Sequence, residues 1–290
     1  MNTKERAWFL LFTVPLLFIF TTVVVVPFTI GIFYSFIAWD GISANPKTFV
    51  GFKNFIDLFR DEQFYSSAWH TVKFTVLSLL GVNIVGIVLS LLVTSNLKVK
   101  HAARTMFFLP NLIGGLILGY IWKFIFSDVT TLLGEKTGMD VLFFNWLLNP
   151  QSALYAMVIV FAWQMAGYTM LIYVAGILGI PDEMLEAAKV DGANLWQRTT
   201  RIIFPLLMPA FTICLFLTLS GAFKVYDINL SLTGGGPFKA TEMFAMNIFN
   251  EMFTFSHYGL GQAKAIIFFI VVALITLLQV VITKKREVQM

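Results

Sequence analysis

Charged residues are scarce in this chain of 290 residues. Only 12% of the residues are Asp, Glu, Lys or Arg, whereas 58% are hydrophobic, and soluble domains carry about 25% charged residues. The single cysteine, Cys214, excludes a disulfide framework and a cysteine metal cluster. His70, His101 and His257 are the three histidines and lie far apart, so a metal site has little support. The composition excludes an ordinary soluble protein and indicates a polytopic membrane protein.

Catalytic patterns are also missing. No grouping of Ser, His and an acid occurs at a plausible depth for hydrolysis. The run from Gly234 to Thr241 superficially resembles a phosphate loop, but it lacks the Gly-Lys-Ser/Thr ending. We therefore predict that the chain is not an enzyme and holds no metal or cofactor of its own. The net charge of +4 comes from basic residues that flank hydrophobic runs, so we expect no nucleic-acid partner.

Six hydrophobic runs are long enough, or nearly long enough, for a bilayer-spanning helix, which needs ~20 residues. They extend over roughly Ala7–Trp39, Thr71–Leu97, Thr105–Phe126, Ser152–Gly179, Leu206–Ala222 and Ala265–Thr283. The first run is too long for a signal peptide, which favours a retained span. Ionisable residues are nearly absent from the runs, so an ion-coupled carrier would have few groups to work with. No internal repeat or domain boundary is visible, and we predict one domain over residues 1–290.

The orientation of the spans follows from the basic flanks. An even number of spans places both termini on one side. Basic residues occur in the turn Lys98–His101 and in the tail Lys284–Arg286, and short basic flanks favour the cytoplasm. The prediction is therefore an inner-membrane protein with cytoplasmic N- and C-termini.

A polar segment at about residues 180–205 interrupts the hydrophobic pattern on the cytoplasmic side. Pro181, Asp182 and Glu183 favour a helix start there. Gly192 favours a left-handed helix end, and Asn194 favours the cap of a second short helix. Two short helices joined at a glycine form a compact knob that fits the cleft of another protein. The alternative is an ordinary loop between membrane helices.

The spacing within this segment carries a family resemblance. Glu-Ala-Ala, three residues, Gly, nine residues, Ile, one residue and Leu-Pro resembles the cytoplasmic loop of binding-protein-dependent ABC importer permeases. The matching residues are Glu186, Ala187, Ala188, Gly192, Ile202 and Pro205, and Phe204 stands where the pattern has Leu. In that family an ATPase subunit grips the loop. The resemblance implies that this loop couples the chain to two ATPase subunits, in which ATP and Mg are expected.

A glycine-rich turn lies in the predicted outer loop at about residues 223–264. Leu232-Thr233-Gly234-Gly235-Gly236-Pro237 is similar to the turn between the last two helices of sugar permeases of the maltose type. The resemblance implies that Thr233, Gly234, Gly235, Gly236 and Pro237 face an extracytoplasmic solute-binding protein. A tight turn with positive φ angles is the purely structural alternative.

Two further segments resemble carbohydrate permeases. Gly51–Phe59 has apolar residues at helical spacing, which predicts an amphipathic helix at the outer interface. It leads to the matching residues Asp61, Phe64 and Thr71, whereas His70 replaces an Asn, and a packing role is expected for it. The second segment is Arg104–Pro110 with the glycines that follow it. Pro110 with Asn111 favours a bend, and Gly114, Gly115 and Gly119 favour close helix packing.

A polar and aromatic stripe on the fourth run is the candidate solute path. Phe161, Gln164, Met165 and Tyr168 recur at helical spacing, and Thr218 on the fifth run is predicted to face them. In maltose-type permeases a tyrosine about five turns before the Glu-Ala-Ala loop belongs to the sugar site, and Tyr168 occupies that place. Interhelical hydrogen bonding is an equally good explanation for Gln164 and Tyr168.

Together these features predict an all-α integral membrane protein with about six transmembrane helices and an ABC type I importer permease fold. We expect it to pair with a second permease, in membrane lipid, and to form the path for an oligosaccharide or related polyol. A secondary ion-coupled carrier and a permease for a non-sugar solute such as glycerol phosphate are the alternatives. An intramembrane enzyme is disfavoured by the missing catalytic grouping.

Overall fold

The computed structural model describes residues 3–95, 99–139, 141, 143–285 and 287. Lys98 and Arg286, on which the predicted orientation partly depends, lie outside these residues. The described helices are α1 (Thr3–Phe20 and Val26–Tyr34, joined by a π-helical turn), α2 (Lys53–Leu58), α3 (Glu62–Thr94), α4 (Lys100–Phe108), α5 (Gly115–Phe124 and Thr130–Thr137, also joined by a π-helical turn), α6 (Pro150–Leu178), α7 (Asp182–Val190), α8 (Leu195–Arg198 and Phe204–Leu206, joined by the π-helical turn Thr199–Ile203), α9 (Met208–Phe223), α10 (Phe244–Phe249) and α11 (Tyr258–Lys284). Strands β1 (Ile37–Ala38) and β2 (Thr48–Phe49) form an antiparallel pair. The all-α prediction is confirmed.

Among the described residues, five helical stretches are long and apolar enough to cross a bilayer. They are Trp8–Tyr34, Glu62–Thr94, Gly115–Thr137, Pro150–Leu178 and Tyr258–Lys284. A sixth span exists only if α8 and α9, which meet at a bend of 68°, are taken together. Pro205 and Pro209 lie on either side of this bend, and a proline cannot donate the backbone hydrogen bond that would continue a helix. The fifth predicted run therefore corresponds to α9, whose 16 residues reach the length of a span only together with α8.

The predicted third span, Thr105–Phe126, is wrong in its boundaries. Helix α4 ends at Phe108, a 3-10 turn covers Leu109–Leu112, and Ile113 is extended with φ −82° and ψ 125°. A new helix then begins at Gly115. The predicted bend at Pro110 is confirmed, and it is sharp enough to divide the run in two.

Several helices are also longer than the hydrophobic runs that predicted them. Helix α3 begins at Glu62 instead of about Thr71, and α11 begins at Tyr258 instead of about Ala265. The last candidate span therefore includes Lys264, which the hydropathy pattern left outside. Helices continue past the apolar stretch because hydrogen bonding along the backbone does not depend on side-chain polarity.

The chain divides into two compact units. The first consists of Met1–Phe64 and Ile248–Ile270, and the second of Tyr65–Asn247 and Val271–Met290. The single domain predicted over residues 1–290 stays a prediction.

In the first unit, the side chain of Asn54 fixes the chain that leaves α1. Its Nδ2 donates hydrogen bonds to the carbonyl oxygens of Ser35 at 2.8 Å and Ile37 at 3.0 Å. The short helix α2 exposes Phe52, Ile56 and Phe59 along one side. This apolar side agrees with the predicted amphipathic helix, while its place at a membrane interface stays a prediction.

The second unit has the larger core, built on α6. Buried residues of α3, α5, α6 and α9 pack together around this helix, and they include Phe74, Leu118, Met157, Phe161 and Ala222. Glycines allow the close approaches. A Cβ on Gly167 of α6 would overlap the backbone carbonyl of Phe107, and one on Gly119 of α5 would overlap Ser231. The predicted packing role is confirmed for Gly115 and Gly119, whereas Gly114 has no atom within 4 Å of an added Cβ.

Candidate functional site

The segment at residues 180–205 forms two short helices around a glycine, as predicted. Pro181 precedes α7 in an extended conformation, and Asp182 and Glu183 form the first turn. The helix ends before Gly192, which has φ +76°. Because this φ is costly for residues with a Cβ, the position favours glycine.

The second helix begins with a reciprocal cap. The amide nitrogen of Gln197 donates to Oδ1 of Asn194 at 2.8 Å, and the amide nitrogen of Asn194 donates to Oε1 of Gln197 at 2.9 Å. The predicted cap at Asn194 is confirmed, and Gln197 is the partner that sequence reasoning missed. A Gln three residues after an Asn is the signal that identifies it. This cap stiffens the start of α8.

The two helices present an exposed surface around Gly192. Glu186 and Ala187 are exposed, whereas Ala188 is buried and its carbonyl accepts a hydrogen bond from the amide of Ala193 at 2.9 Å. Pro205 is half-buried at the end of the segment. The structure thus makes Glu186, Ala187 and Gly192 available to a partner and gives Ala188 a packing role.

Large apolar side chains on this surface are left exposed by the described residues. The exposed fractions are 88% for Val190, 74% for Leu195 and 75% for Trp196. A Cβ added to Gly192 would meet no atom within 4 Å. Three large apolar side chains exposed within seven residues of a polar loop favour a protein interaction site.

The predicted solute-path residues divide into buried and accessible groups. Phe161 is buried and packs edge-on against Phe74, with ring centroids 5.4 Å apart. Thr218 is fully buried, and its hydroxyl has no hydrogen-bond partner among the described residues. In this structure both residues belong to the core of the second unit.

Gln164 and Tyr168 are the accessible members of the stripe. Nε2 of Gln164 donates to the carbonyl oxygen of Ile113 at 2.9 Å. This carbonyl belongs to the extended residue between α4 and α5, so Gln164 satisfies a backbone group that the helix break leaves without its helical partner. Tyr168 is exposed. The structural role of Gln164 is therefore a hydrogen bond that joins α6 to the segment between α4 and α5. The side chain of Tyr168 remains accessible to a ligand.

The glycine-rich turn has the predicted positive φ angles, +58° at Gly234 and +81° at Gly235. The peptide bond between Gly236 and Pro237 is cis. Immediately after the turn, Phe238 is 95% exposed. The turn therefore presents a large aromatic side chain to its surroundings.

Asn229 ties the ends of this turn together. Its Nδ2 donates to the carbonyl of Thr241 at 2.7 Å, and its Oδ1 accepts from the amide of Met243 at 3.0 Å. The hydroxyl of Thr241 donates to Oγ1 of Thr233 at 2.8 Å. Sequence reasoning missed Asn229, because its partners lie twelve or more residues away.

A buried ionic cluster in the first unit was also missed. Nζ of Lys264 lies 2.6 Å from Oδ2 of Asp61 and 2.5 Å from Oε2 of Glu251, and the lysine is completely buried. Nδ1 of His257 lies 2.7 Å from the other carboxylate oxygen of Glu251. Burial raises the pKa of Asp61, but the hydrogen bond and the charge of Lys264 outweigh it and hold the pKa below its ordinary value. The resemblance to carbohydrate permeases pointed to Asp61 but not to its partners.

A set of apolar helices of membrane-spanning length, interrupted by a short exposed helix-glycine-helix loop, is typical of a polytopic membrane protein that binds a partner at that loop. The chain belongs to the family of binding-protein-dependent transport system inner membrane components, whose model matches residues 82–288. Its function is therefore that of an inner-membrane permease in a transport system that depends on a binding protein. An ion-coupled carrier that works alone does not fit this family.

Known relatives match nearly the whole chain. It is 46% identical to the probable starch degradation products transport system permease protein AmyD of Thermoanaerobacterium thermosulfurigenes, over 99% of this chain and 97% of that protein. It is 32% identical to the sn-glycerol-3-phosphate transport system permease protein UgpA of Agrobacterium fabrum, over 85% of this chain and 83% of that protein.

A solved structure shares the fold. One chain of a bacterial ABC transporter involved in the import of the acidic polysaccharide alginate superposes with a TM-score of 0.83 at 24% identity, which covers 97% of this chain and 96% of that chain. The predicted resemblance to ABC importer permeases and the predicted fold are confirmed.

Proposed function

We propose that this chain is the permease subunit of an ATP-driven importer for oligosaccharides derived from starch. The observation that carries the proposal is the 46% identity, over 99% of the chain, with a relative named for the transport of starch degradation products. In the assembly, a second permease completes the solute path, two ATPase subunits bind at the cytoplasmic side, and a solute-binding protein delivers the sugar from outside.

The surface around Gly192 supports the contact with an ATPase subunit. Val190, Leu195 and Trp196 supply the apolar area, and the exposed Glu186 and Ala187 lie on the preceding helix. The short helices are stiffened where they meet, by the turn at Gly192 and by the cap at Asn194. A stiff element with exposed apolar side chains transmits a partner's movement to the membrane helices better than a flexible loop does.

The charges of the flanking segments support the orientation. Lys100 and Arg104 follow the second span, and Lys284 and Lys285 follow the last. In the proposed arrangement the cytoplasm contains these basic residues, both termini and the loop at residues 180–205, which we call the coupling loop. The turn at Gly234–Gly236 then faces the binding protein, with Phe238 as its most exposed contact residue.

The central helices favour a neutral solute over a phosphorylated one. Helices α6 and α9, which carry the candidate path residues, contain no Lys or Arg. Phosphate groups are usually bound by charge-assisted hydrogen bonds from such residues, whereas sugars are bound by aromatic rings and neutral hydrogen-bonding groups. Tyr168 is the residue on α6 that we propose contacts the sugar.

Uptake by the assembled transporter tests the proposal. The complex is reconstituted in liposomes with its partner subunits and binding protein, and accumulation of radiolabelled maltotetraose is compared with that of sn-glycerol-3-phosphate. We expect accumulation of maltotetraose that requires both ATP and the binding protein. Accumulation of glycerol phosphate in place of the sugar would assign the second solute class, and uptake without ATP would contradict an ATP-driven importer.

A further inference from the structure

A cavity of about 530 Å³ lies within the first unit. Its wall is formed by the turn that follows β1, by α2 and by the start of α11. The lining residues used below are Trp39, Asp40, Asn54, Asp57 and His257. None of the predicted solute-path residues lines it, so the cavity is not accounted for by the proposed transmembrane path.

The aromatic side of the cavity is held rigidly. Nε1 of Trp39 donates to the carbonyl oxygen of Ile42 at 2.7 Å. Its ring stacks on Tyr34 with centroids 4.8 Å apart and meets Tyr258 edge-on at 5.1 Å. A fixed aromatic wall requires little ordering when a ligand binds, which favours affinity.

Asn54 places an unused acceptor in this wall. Its side chain is more than nine-tenths buried, and both of its hydrogen bonds to Ser35 and Ile37 are donated by Nδ2. These two bonds fix the plane of the amide, and Oδ1 has no partner among the residues that the structure describes. Because Asn54 lines the cavity, this oxygen can accept a hydrogen bond from a ligand, and the fixed amide plane reduces the ordering that binding requires.

Asp57 adds a second acceptor on the same side of α2. It lies three residues after Asn54, which brings the two side chains to one side of the helix. Its carboxylate forms no hydrogen bond within the described part of the chain. Asp40, by contrast, is occupied: hydrogen bonds from the amide of Ile42 and from the side chain of Asn45 lower its pKa.

The donor and acceptor pattern limits the ligand class. No Lys or Arg is among the described lining residues, and the ammonium of Lys47 lies beside the lining, 4.4 Å from the centroid of the Trp39 ring. With Asp40 and Asp57 the site stays net acidic, which disfavours an anion. A divalent metal is disfavoured, because no group of three or more metal-binding side chains occurs in the described ranges. A neutral molecule with several hydroxyl donors and an apolar face fits best. The volume is also within the ~300–1,000 Å³ of small-molecule sites.

We propose that this cavity is an outer docking site for one sugar unit of the transported carbohydrate. Hydroxyl groups of the sugar donate to Oδ1 of Asn54 and to the carboxylate of Asp57, and its C–H groups contact the part of Trp39 that lines the cavity and is left uncovered by Tyr34, Tyr258 and Lys47. The inference rests on the proposed function, since it takes its ligand from the transported solute. Its position in the predicted outer loops places it where a sugar is released by a binding protein.

Photo-crosslinking tests the site directly. The permease complex in lipid nanodiscs, without binding protein, is irradiated with a diazirine derivative of maltotriose, and the modified peptides are mapped by mass spectrometry. We expect labelling within residues 38–57 or 256–260 that unmodified maltotriose prevents.

Asp57→Ala should reduce this labelling roughly tenfold, as expected for the loss of a hydrogen bond to a charged group. Asp128→Ala is the matched control, because Asp128 is an exposed acid outside the cavity, and should leave labelling unchanged.

The other outcomes overturn the inference in distinguishable ways. Transport of maltotriose without labelling of these peptides would remove the docking site and leave the proposed function standing. Absence of both transport and labelling would remove both proposals. The labelling of these peptides could instead be blocked by sugar-free binding protein and not by unmodified maltotriose. That result would show that the cavity binds a side chain of the binding protein and not a sugar.

Discussion

Lys264 is the residue with the most demanding environment in the first unit. A buried ammonium group is strongly unfavourable unless opposite charges and hydrogen bonds compensate for its lost hydration. Asp61 and Glu251 provide that compensation from distant parts of the sequence. The cluster thereby connects the start of α11 to the segment before α3 and to the turn after α10.

Replacing Lys264 by Met should destabilise the protein by at least ~3 kcal/mol, because Glu251 would remain buried without its cation. The measurement is the thermal unfolding of the purified protein in detergent. Lys224→Met is the control, since Lys224 is exposed. The double variant Lys264→Met/Glu251→Gln should recover part of the loss. Equal stability of Lys264→Met and the wild type would show that the cluster contributes nothing.

Tyr168 carries the next prediction at this scale, because it is the exposed member of the stripe on α6. If its ring contacts the sugar, Tyr168→Ala should weaken uptake roughly tenfold, equivalent to about 1.4 kcal/mol, while assembly and basal ATP hydrolysis remain. Tyr155→Ala, on the same helix, serves as the control. Uptake kinetics and subunit recovery are measured together. Loss of assembly in Tyr168→Ala would indicate packing in place of solute contact.

Among the helices, the pair around Gly192 must behave as one stiff element. Its φ of +76° makes any side chain there costly by roughly 1–2 kcal/mol. The chain itself leaves space for a Cβ, so additional harm from a larger side chain must come from a partner. This separates strain within the loop from a clash with the ATPase subunit.

Gly192→Val should therefore abolish ATPase binding, while Gly192→Ala, which carries similar strain but less bulk, should retain part of it. Gly138→Val is a matched control, because Gly138 has φ +68° and equally open surroundings on the predicted outer side. Recovery of the ATPase subunits with the membrane-embedded permease pair is measured by pull-down. Equal recovery with Gly192→Val and Gly138→Val would rule out this loop as the coupling site.

At the scale of the whole molecule, the orientation of the chain across the membrane is the main prediction. Val99 and Phe238 are exposed, in the turn after the second span and in the outer turn. Phe238 suits a probe position because it is 95% exposed, whereas the hydroxyl of Thr233 takes part in the hydrogen bonds that close the same turn. Cys214 is buried and is replaced by Ser so that the probes carry the only thiols.

Cysteines at Val99 and Phe238 should react with a membrane-impermeant thiol reagent from opposite faces of the membrane. Intact cells should label the Phe238→Cys variant, and inside-out vesicles should label Val99→Cys. Each cysteine variant must still transport the solute, which shows that the substitution has not changed the fold. Labelling of both positions from one face would contradict the arrangement with six spans.

The sequence by itself determined the class of protein, most of the span positions and the shape of the coupling loop. These features depend on local patterns. Hydropathy over about 20 residues identifies a span, and proline, glycine and Asn at fixed offsets define the helix ends around Gly192. The family resemblance added the partner at that loop, which stays a proposal together with the other site residues.

Only the tertiary structure decided which distant groups meet. Lys264 and Asp61 are 203 residues apart, Gln164 and Ile113 are 51 apart. Sequence patterns cannot select such partners, because the choice depends on how whole helices pack and on which buried polar groups still need a hydrogen bond. For the same reason the break at Pro110 was foreseen as a bend, whereas the separate helix after it, and the acceptor-lined cavity beside Asn54, appeared only in the folded chain.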